Sequence, residues 1–169
     1  MAISLYDVSV PVLTAALTNL DAILDKGQAH ATAKKFDSRA LVDSRLIADM
    51  HPLTRQVQTA CDSAKGAAAR LAGIDNPKHE DNETTLPELK ARIAKTLEFL
   101  KTVKPEQING AESREITLTF PNITLKFTGH SYVTTFVIPN FFFHVTMAYA
   151  LLRQNGVDLG KLDFLGKIQ

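Results

Sequence analysis

One pair of polar side chains in this sequence has a spacing that suits a binding or catalytic role: Asn140 and His144. The two residues stand four positions apart in an apolar segment, so a helix would point both side chains at one spot. An imidazole beside an amide forms a polar pocket, in which the ring binds a metal ion or hydrogen-bonds a ligand. The alternative is a buried histidine satisfied by hydrogen bonds to its neighbours, and a lone histidine in an apolar segment favours this alternative.

The remaining histidines and the cysteine do not complete a catalytic or metal-binding set. His51 lies at a predicted helix boundary and His130 in a predicted turn, while His30 and His79 have polar neighbours. A metal site needs several ligands at matched spacing, and these histidines supply no second pair. Cys61 falls on the apolar face of a predicted helix, which is typical of a small buried side chain rather than a nucleophile. The sequence also has no glycine-rich phosphate loop.

Charge and composition argue against several classes of partner. The 169 residues include 19 Lys and Arg against 18 Asp and Glu, and the basic residues are spread along the chain. Because nucleic-acid binders carry a clustered basic face, we expect no nucleic-acid partner. The longest apolar stretch, 133–152, is interrupted by Pro139 and His144 and predicts no membrane span. With no secretory signal in residues 1–6, we expect a cytoplasmic protein.

Apolar residues recur at helical spacing in four segments, which predicts four long helices in a single domain covering residues 1–169. The predicted helices run from about Ser4 to His30, from Pro52 to Gly73, from Thr85 to Lys104 and from Pro139 to Asn155. Pro11 is either tolerated near the start of the first helix or separates a short leading turn from it. Gly73 suits a helix C-terminus, and Thr85 followed by Glu88 predicts a capping box. Residues 31–43 are expected to be a connection, and a helical turn is expected within 41–50.

A change of period before the last helix predicts a β-hairpin at about residues 114–129. Apolar and polar residues alternate over 116–120 and again over 123–127, with Pro121 and Asn122 between the two runs. An isolated hairpin is marginally stable in water, so this one must pack on the helices or on a partner. The fold class predicted from the pattern is therefore mainly α, a four-helix bundle with a small hairpin inserted before the last helix. The tail, 157–169, is too apolar to be free and is expected to pack back on the bundle.

Several segments of the chain resemble an uncharacterised family within the DinB-like (YfiT-like) superfamily of metalloenzymes. The segments that carry the resemblance are 49–53, 56–62, 69–73, 139–146, 151–156 and 163–166. The resemblance extends over nearly the whole chain and implies the DinB-like bundle, whose helices follow an up-down-down-up order.

The resemblance also implies where a metal would bind. Relatives that bind metal use one histidine on helix two and a His-x-x-x-His pair on helix four. In this chain the helix-four pair is Asn140 and His144, and Gln56 or Gln58 stands near the helix-two position. His51 comes one to two turns too early. An amide oxygen is a poor substitute for imidazole on a zinc-like or nickel-like ion, so the site is expected to be degenerate.

Two hypotheses of function follow. The first is a non-enzymatic or ligand-binding bundle, a homodimer, whose pocket is formed by Asn140, His144 and Gln58; the aromatic run 141–143 and the apolar tail support a subunit interface. The second is a metal-dependent transferase or hydrolase in which His144 acts with His51 or His130. The first is favoured, and the metal, if one binds at all, is expected on His51 and His144. The sequence identifies neither the ligand nor a cofactor.

Overall fold

The computed structural model describes residues 3–167, and within that range the protein is mostly helical with one two-stranded antiparallel hairpin. The long helices are α1 (Val10–Lys34), α3 (Leu53–Ala72), α4 (Leu86–Thr102) and α7 (Ile138–Gln154). The hairpin strands β1 (Glu115–Phe120) and β2 (Ile123–Thr128) precede the last long helix, as the sequence predicts. The short helices are α2 (Arg39–Val42), α5 (Pro105–Ile108), α6 (Gly129–Ser131) and α8 (Lys161–Leu165).

The start of α1 decides between the two interpretations of Pro11. A separate turn precedes the helix, and Pro11 lies in the first helical turn, where its missing N–H leaves no hydrogen bond unmade. The helix continues past the predicted end at His30 to Lys34. Ala31 is buried and lies four residues after buried Gly27, so the apolar face extends one turn further than predicted.

The ends of α3 and α4 follow the predicted local chemistry. Pro52 immediately precedes α3, and Gly73 ends it with φ of +69°, a left-handed conformation that favours glycine. Thr85 caps α4: its side chain accepts a hydrogen bond from the Glu88 backbone N–H, and the Glu88 carboxylate accepts one from the Thr85 N–H. The predicted capping box is therefore confirmed.

The hairpin packs one face on the helices. Ile116 pairs with Phe127 and Leu118 with Leu125, so these four side chains share a face that contacts the core. The pair at the tip, Phe120 with Ile123, is largely exposed. The hairpin thus extends beyond the helices that support it.

The last long helix begins much earlier than predicted. The chain is helical from Gly129 onward, through α6 and a π-helix over Tyr132–Val137 that leads directly into α7. Pro139 was predicted to start the helix, but it lies inside this continuous run. A proline ring collides with the carbonyl four residues earlier in a regular α-helix, and the wider π turn before Pro139 relieves that collision. Buried Tyr132, Val133 and Val137 hold the early part of the run against the core.

Helix α3 lies in the middle of the helical core and packs against α1, α4 and α7. Its buried positions are mostly small residues, which let neighbouring helices approach closely. After α7 the chain folds back on α1: Val157 and Leu159 are buried, and the Asn19 Nδ2 amide donates to the Phe164 carbonyl at 3.1 Å. Packing of the tail is thus confirmed as far as Phe164; Ile168 and Gln169, like Met1 and Ala2, lie outside the described residues.

The helical run Gly129–Gln154 is long and apolar enough, by length and composition, to cross a membrane. In the structure this run packs against α3 and α1.

Candidate functional site

Polar side chains bridge the contact between α3 and the helical run that ends in α7, and we call this contact the polar seam. Three side-chain pairs form it: Gln56 with His144, Ser63 with Asn140, and Arg70 with Tyr132. The α3 members are seven residues apart, close to two helical turns, so they lie on one face of α3. Their partners descend in number as the α3 residues ascend, so the two helices run antiparallel.

The first pair closes the end of the seam near the start of α3. His144 Nδ1 lies 2.8 Å from Gln56 Oε1. The Gln56 amide nitrogen donates to the backbone carbonyl of His51 at 3.0 Å, which fixes the amide with its oxygen toward the ring. His144 Nδ1 therefore carries the proton and donates to Gln56.

The same surroundings keep His144 uncharged at neutral pH. Burial of the ring is the main cause, and electrostatic interactions with His51 and Arg55 act in the same direction. Together they lower the pKa of His144 from 6.5 to about 4. A neutral imidazole held through Nδ1 leaves Nε2 as a hydrogen-bond acceptor.

The structure brings together only part of the predicted residue set. Asn140 and His144 share the α7 face in the seam, as their spacing predicts. The glutamine that meets His144 is Gln56 and not Gln58, whose amide donates to Glu83 Oε2 at 2.8 Å. Residues two apart on a helix are rotated by about 200°, so Gln56 and Gln58 face nearly opposite sides of α3. Gln58 thus lies on the flank of α3 toward α4.

His51 and Cys61 have the surroundings that the sequence indicates, whereas His130 lies in the short helix α6 and not in the predicted turn. The His51 and His130 residues are exposed, and no hydrogen bond joins either side chain to His144 among the described residues. Cys61 is fully buried, and burial raises the pKa of its thiol to about 12. A thiol with this pKa stays protonated at neutral pH and packs as a small apolar group.

A cleft of about 300 Å³ opens beside the middle of the seam, under the tip of the hairpin, and we call it the hairpin cleft. Its polar side is formed by Ser63, Arg70 and Asn140, and its aromatic side by Phe120 of the hairpin and Phe136 of the π-helix. A mixed apolar and polar lining of this volume is at the lower end of the range for small-molecule sites. Sequence analysis missed Ser63 and Arg70, although the recurrence of Gln56, Ser63 and Arg70 at intervals of seven residues is a signal that could have identified them.

Comparison with known proteins identifies the family of the chain. The model of the domain of unknown function DUF1993 matches residues 5–165. The chain belongs to the DUF1993 family. It is also similar to the crystal structure of a DinB family member protein from Shewanella denitrificans, with 44% sequence identity and a TM-score of 0.88, over 97% of this chain and 93% of that chain. The resemblance to an uncharacterised DinB-like family is thereby confirmed. No curated protein matches the chain.

The seam of this DUF1993 protein does not fit the three-imidazole metal site that the superfamily resemblance implies. The corresponding donors are one imidazole, His144, and two amides, Gln56 and Asn140. Gln56 Oε1 is engaged by His144 Nδ1, and the Asn140 amide nitrogen donates to Ser63 Oγ at 2.7 Å, so His144 Nε2 is the one imidazole nitrogen that this pair leaves for a ligand. In the part of the chain that the structure describes, no group of three or more His, Cys, Asp or Glu side chains is placed to hold a metal ion. Amides that are tied in this way are poor ligands for a zinc-like ion.

The opposite flank of α3 carries a set of ion pairs, the Arg92 cluster, formed by Arg92 with Asp62, Asp81 and Glu83. The Arg92 side chain is 1% exposed, and its terminal nitrogens lie 2.8 Å from Asp62, 3.0 Å from Asp81 and 3.0 Å from Glu83. Burial raises the pKa of the Glu83 carboxyl, but hydrogen bonds from Gln58 and Arg92 outweigh burial and leave that pKa below its usual value. A cavity of about 540 Å³ adjoins this cluster. Because both terminal nitrogens of Arg92 meet carboxylates, although its buried Nε has no hydrogen-bond partner within residues 3–167, we interpret the cluster as the clamp that fixes the 73–85 loop to α3 and α4.

Proposed function

We propose that this DUF1993 protein is a non-enzymatic bundle that binds a small molecule in the hairpin cleft. In this proposal the chain forms a four-helix bundle of up-down-down-up order, and the Gln56–His144 pair replaces the metal centre of metal-binding relatives. The observation that carries the proposal is the 2.8 Å hydrogen bond from His144 Nδ1 to Gln56. It puts an amide, Gln56, where the resemblance implies a second imidazole, at the end of a seam whose middle opens to the cleft.

Chemistry supports a binding role over a hydrolytic one. A catalytic metal needs about three protein ligands and an open coordination position. The seam offers one imidazole with a pKa of about 4, beside amides that have other partners. The cleft, by contrast, has room and a lining of polar and aromatic side chains.

The proposal includes a cytoplasmic homodimer that binds neither nucleic acid nor membrane. Phe143 of α7 is 51% exposed, next to the seam, and an apolar side chain of this size is suited to a subunit contact. Light scattering across a hundredfold range of protein concentration measures the mass. A protein that stays monomeric at the highest concentration would remove the dimer from the proposal.

The alternative function is a metal-dependent transferase or hydrolase that uses His144. His51 favours it in one respect, since its side chain is close enough to influence the pKa of His144. In such a pair a metal would bind His144 through Nε2, because Nδ1 is held by the Gln56 amide.

Metal content of the untagged, purified protein separates the two functions. We expect metal far below one equivalent, and no gain in thermal stability on adding zinc or nickel, in the wild type, in His144→Ala and in the control His30→Ala, a histidine that the alternative does not use. Near-stoichiometric metal that disappears in His144→Ala and persists in His30→Ala would overturn the proposal in favour of the metalloenzyme.

Restoring the missing ligands provides a positive control. The double variant Gln56→His and Asn140→His, together with native His144, presents three imidazoles on the seam. We expect this variant to be stabilised by added zinc, because a ligand that binds only the folded state raises the midpoint of unfolding. A wild type that responds to zinc as strongly as this variant would contradict the degenerate-site proposal.

A further inference from the structure

Arg70 is the basic residue of the hairpin cleft, and it has no carboxylate partner. Among the ion pairs of residues 3–167, none involves Arg70, although the residue is only partly exposed. Arg92, on the opposite flank of the same helix, has three carboxylates. A partly buried cation without a counterion inside a cleft leaves a charge for a ligand to neutralise.

The Arg70 guanidinium is held in place on the cleft side of α3. Gly66, one turn earlier, is buried, and a Cβ atom at that position would collide with Arg70 Nη1. The absence of a side chain at Gly66 lets the guanidinium lie against the helix backbone. Arg70 Nη1 also donates to the Tyr132 hydroxyl at 3.1 Å. The group is therefore positioned before any ligand arrives.

Tyr132 adds a second donor at the same place. Its side chain is buried, and its hydroxyl oxygen accepts from Arg70. In the hydrogen bonds of the described residues, that hydroxyl donates to no acceptor. A hydroxyl proton beside a guanidinium fork suits an oxyanion, which accepts from both groups.

The other charged residue of the cleft does not compete for Arg70. Asp62 lines the cleft, but its Oδ1 is bound by Arg92 at 2.8 Å and by Lys65 at 3.2 Å. Its negative charge is thus compensated from the opposite flank of α3. Across the cleft, Phe120 and Phe136 offer aromatic surface to whatever the polar side holds.

We propose that the hairpin cleft binds a small organic anion, a carboxylate or phosphate attached to a flat apolar group, with Arg70 holding the oxyanion. The inference rests on the proposed binding function and specifies its ligand class. Arg70 and the Tyr132 hydroxyl contact the anion, Ser63 and Asn140 contact its polar edge, and the apolar group packs on Phe120 and Phe136. A volume of about 300 Å³ accommodates one aromatic ring with its acid group.

Titration with three single-ring probes tests the ligand class: phenylacetate, phenyl phosphate and the uncharged benzyl alcohol. Binding is followed by amide chemical shifts of the full chain after treatment with a chelator. We expect at least one anion to bind about tenfold or more tightly than benzyl alcohol, which is the discrimination that one charge-assisted contact provides. The ratio of the two anion affinities distinguishes a carboxylate site from a phosphate site. Equal affinity for benzyl alcohol and both anions would overturn the inference.

Variants of Arg70 test the assigned residue. Arg70→Gln should lower anion affinity about tenfold and leave benzyl alcohol unchanged, whereas the exposed control Arg153→Gln should change neither. Arg70→Lys retains the charge without the planar fork and should bind anions with intermediate affinity. It also provides the test if Arg70→Gln does not fold. Anion affinity that is unchanged in either Arg70 variant would refute the assignment.

This failure is distinguishable from failure of the proposed function. The probes are measured on metal-free protein, so the anion preference is independent of metal at His144. Stoichiometric metal that depends on His144 would overturn the proposed function alone. If the protein binds no metal and shows no preference for anions, the ligand class is wrong, and the proposal that the cleft binds a small molecule stands.

Discussion

Polar residues of the helical core have different kinds of partner on the two flanks of α3. On the α7 side, each polar side chain of the seam meets one polar side chain of the other helix, and the contacts border a cleft. On the α4 side, Arg92 is buried and meets three carboxylates at once. A charge buried without partners costs far more than a buried amide, which accounts for the three carboxylates around Arg92, of whose nitrogens Nε alone has no hydrogen-bond partner among the described residues. The α7 side has donors left over, which is what a binding surface requires.

The difference between the polar seam and the Arg92 cluster shows that burial of a polar group does not by itself indicate function. The Arg92 cluster contains the most buried charge and the larger adjoining cavity, yet its central hydrogen-bonding groups are mostly used within the protein. Arg70 is less buried and has one neutral partner. The predictions below test this distinction.

The largest effect is expected for Arg92→Leu. This change leaves Asp62, Asp81 and Glu83 without their common cation, and we expect the free energy of unfolding to fall by about 3 kcal/mol. The expectation lies at the low end for a broken buried ion pair because Asp62 and Asp81 are partly exposed. Urea denaturation measures the loss.

The control for Arg92→Leu is Lys101→Met, which breaks an ion pair with Glu98 whose side chains are 65% and 72% exposed. We expect the control to change stability by less than about 0.5 kcal/mol. Equal losses in the two variants would show that the Arg92 cluster is not a structural clamp.

The fold could be predicted from the sequence wherever local chemistry determines it. Thr85 and Glu88 define a capping box by their spacing, and the alternation around Pro121 and Asn122 identifies the hairpin. The start of the last helix could not be predicted, because Pro139 ordinarily begins a helix. Its tolerance inside one depends on the π turn before it, which is held by tertiary packing of Tyr132.

The second effect concerns the end of the seam. Gln56→Leu removes the acceptor of His144 Nδ1 and leaves that buried donor unpaired, so we expect a loss of about 2 kcal/mol. His144→Leu should cost a similar amount by leaving the amide of Gln56 without its ring partner. The double variant should cost clearly less than the sum, since it leaves neither group unpaired. Strict additivity in the denaturation midpoints would mean that the two residues do not act as a pair.

The candidate site was only half predictable for a related reason. The spacing of Asn140 and His144 places them on one face, and the structure brings both to the seam. Choosing Gln56 over Gln58 requires the rotation of α3 relative to α7, and both glutamines are buried, so an apolar pattern cannot choose between them. The sequence could not predict that Arg70 lacks a carboxylate partner in the described part of the chain, because this depends on the tertiary structure, in which the 73–85 loop places Asp81 and Glu83 beside Arg92.

The third effect is a pH dependence that belongs to the seam and not to the Arg92 cluster. The pKa of His144 is about 4 in the folded protein and 6.5 in the unfolded chain. As pH falls, the unfolded chain therefore binds a proton at His144 before the folded protein does. His144 therefore contributes stability above about pH 6.5 that is lost as pH falls toward 4. After allowance for partial exposure of the ring, we expect about 1 kcal/mol to be lost between pH 7 and pH 5.

Two variants isolate this pH dependence. His144→Gln should flatten the slope between pH 7 and pH 5, whereas His79→Gln should leave most of it, although the pKa of His79 is also lowered by burial. The carboxylates of Asp81 and Glu83, whose pKa values lie below their usual values, release their contribution only at lower pH. A slope that His144→Gln leaves intact would assign the effect to another histidine.

The smallest effect is expected in the middle of the seam, for Ser63→Ala. The Ser63 hydroxyl accepts from the Asn140 amide at 2.7 Å, but both residues are partly exposed beside the cleft. Water can replace the lost acceptor, so we expect a loss of only about 0.5 kcal/mol in urea denaturation. The same change should weaken binding of an anionic probe severalfold, because it removes a polar contact from the cleft.

A stability loss as large as that of Gln56→Leu would mean that the Ser63–Asn140 hydrogen bond stabilises the fold as much as the Gln56–His144 hydrogen bond does. The middle of the seam would then be a closed structural contact like the Arg92 cluster, with no groups free for a ligand. A small stability loss accompanied by a clear loss of probe affinity would instead show that two residues of the same helix have different roles: Gln56 stabilises the fold, and Ser63 binds the ligand.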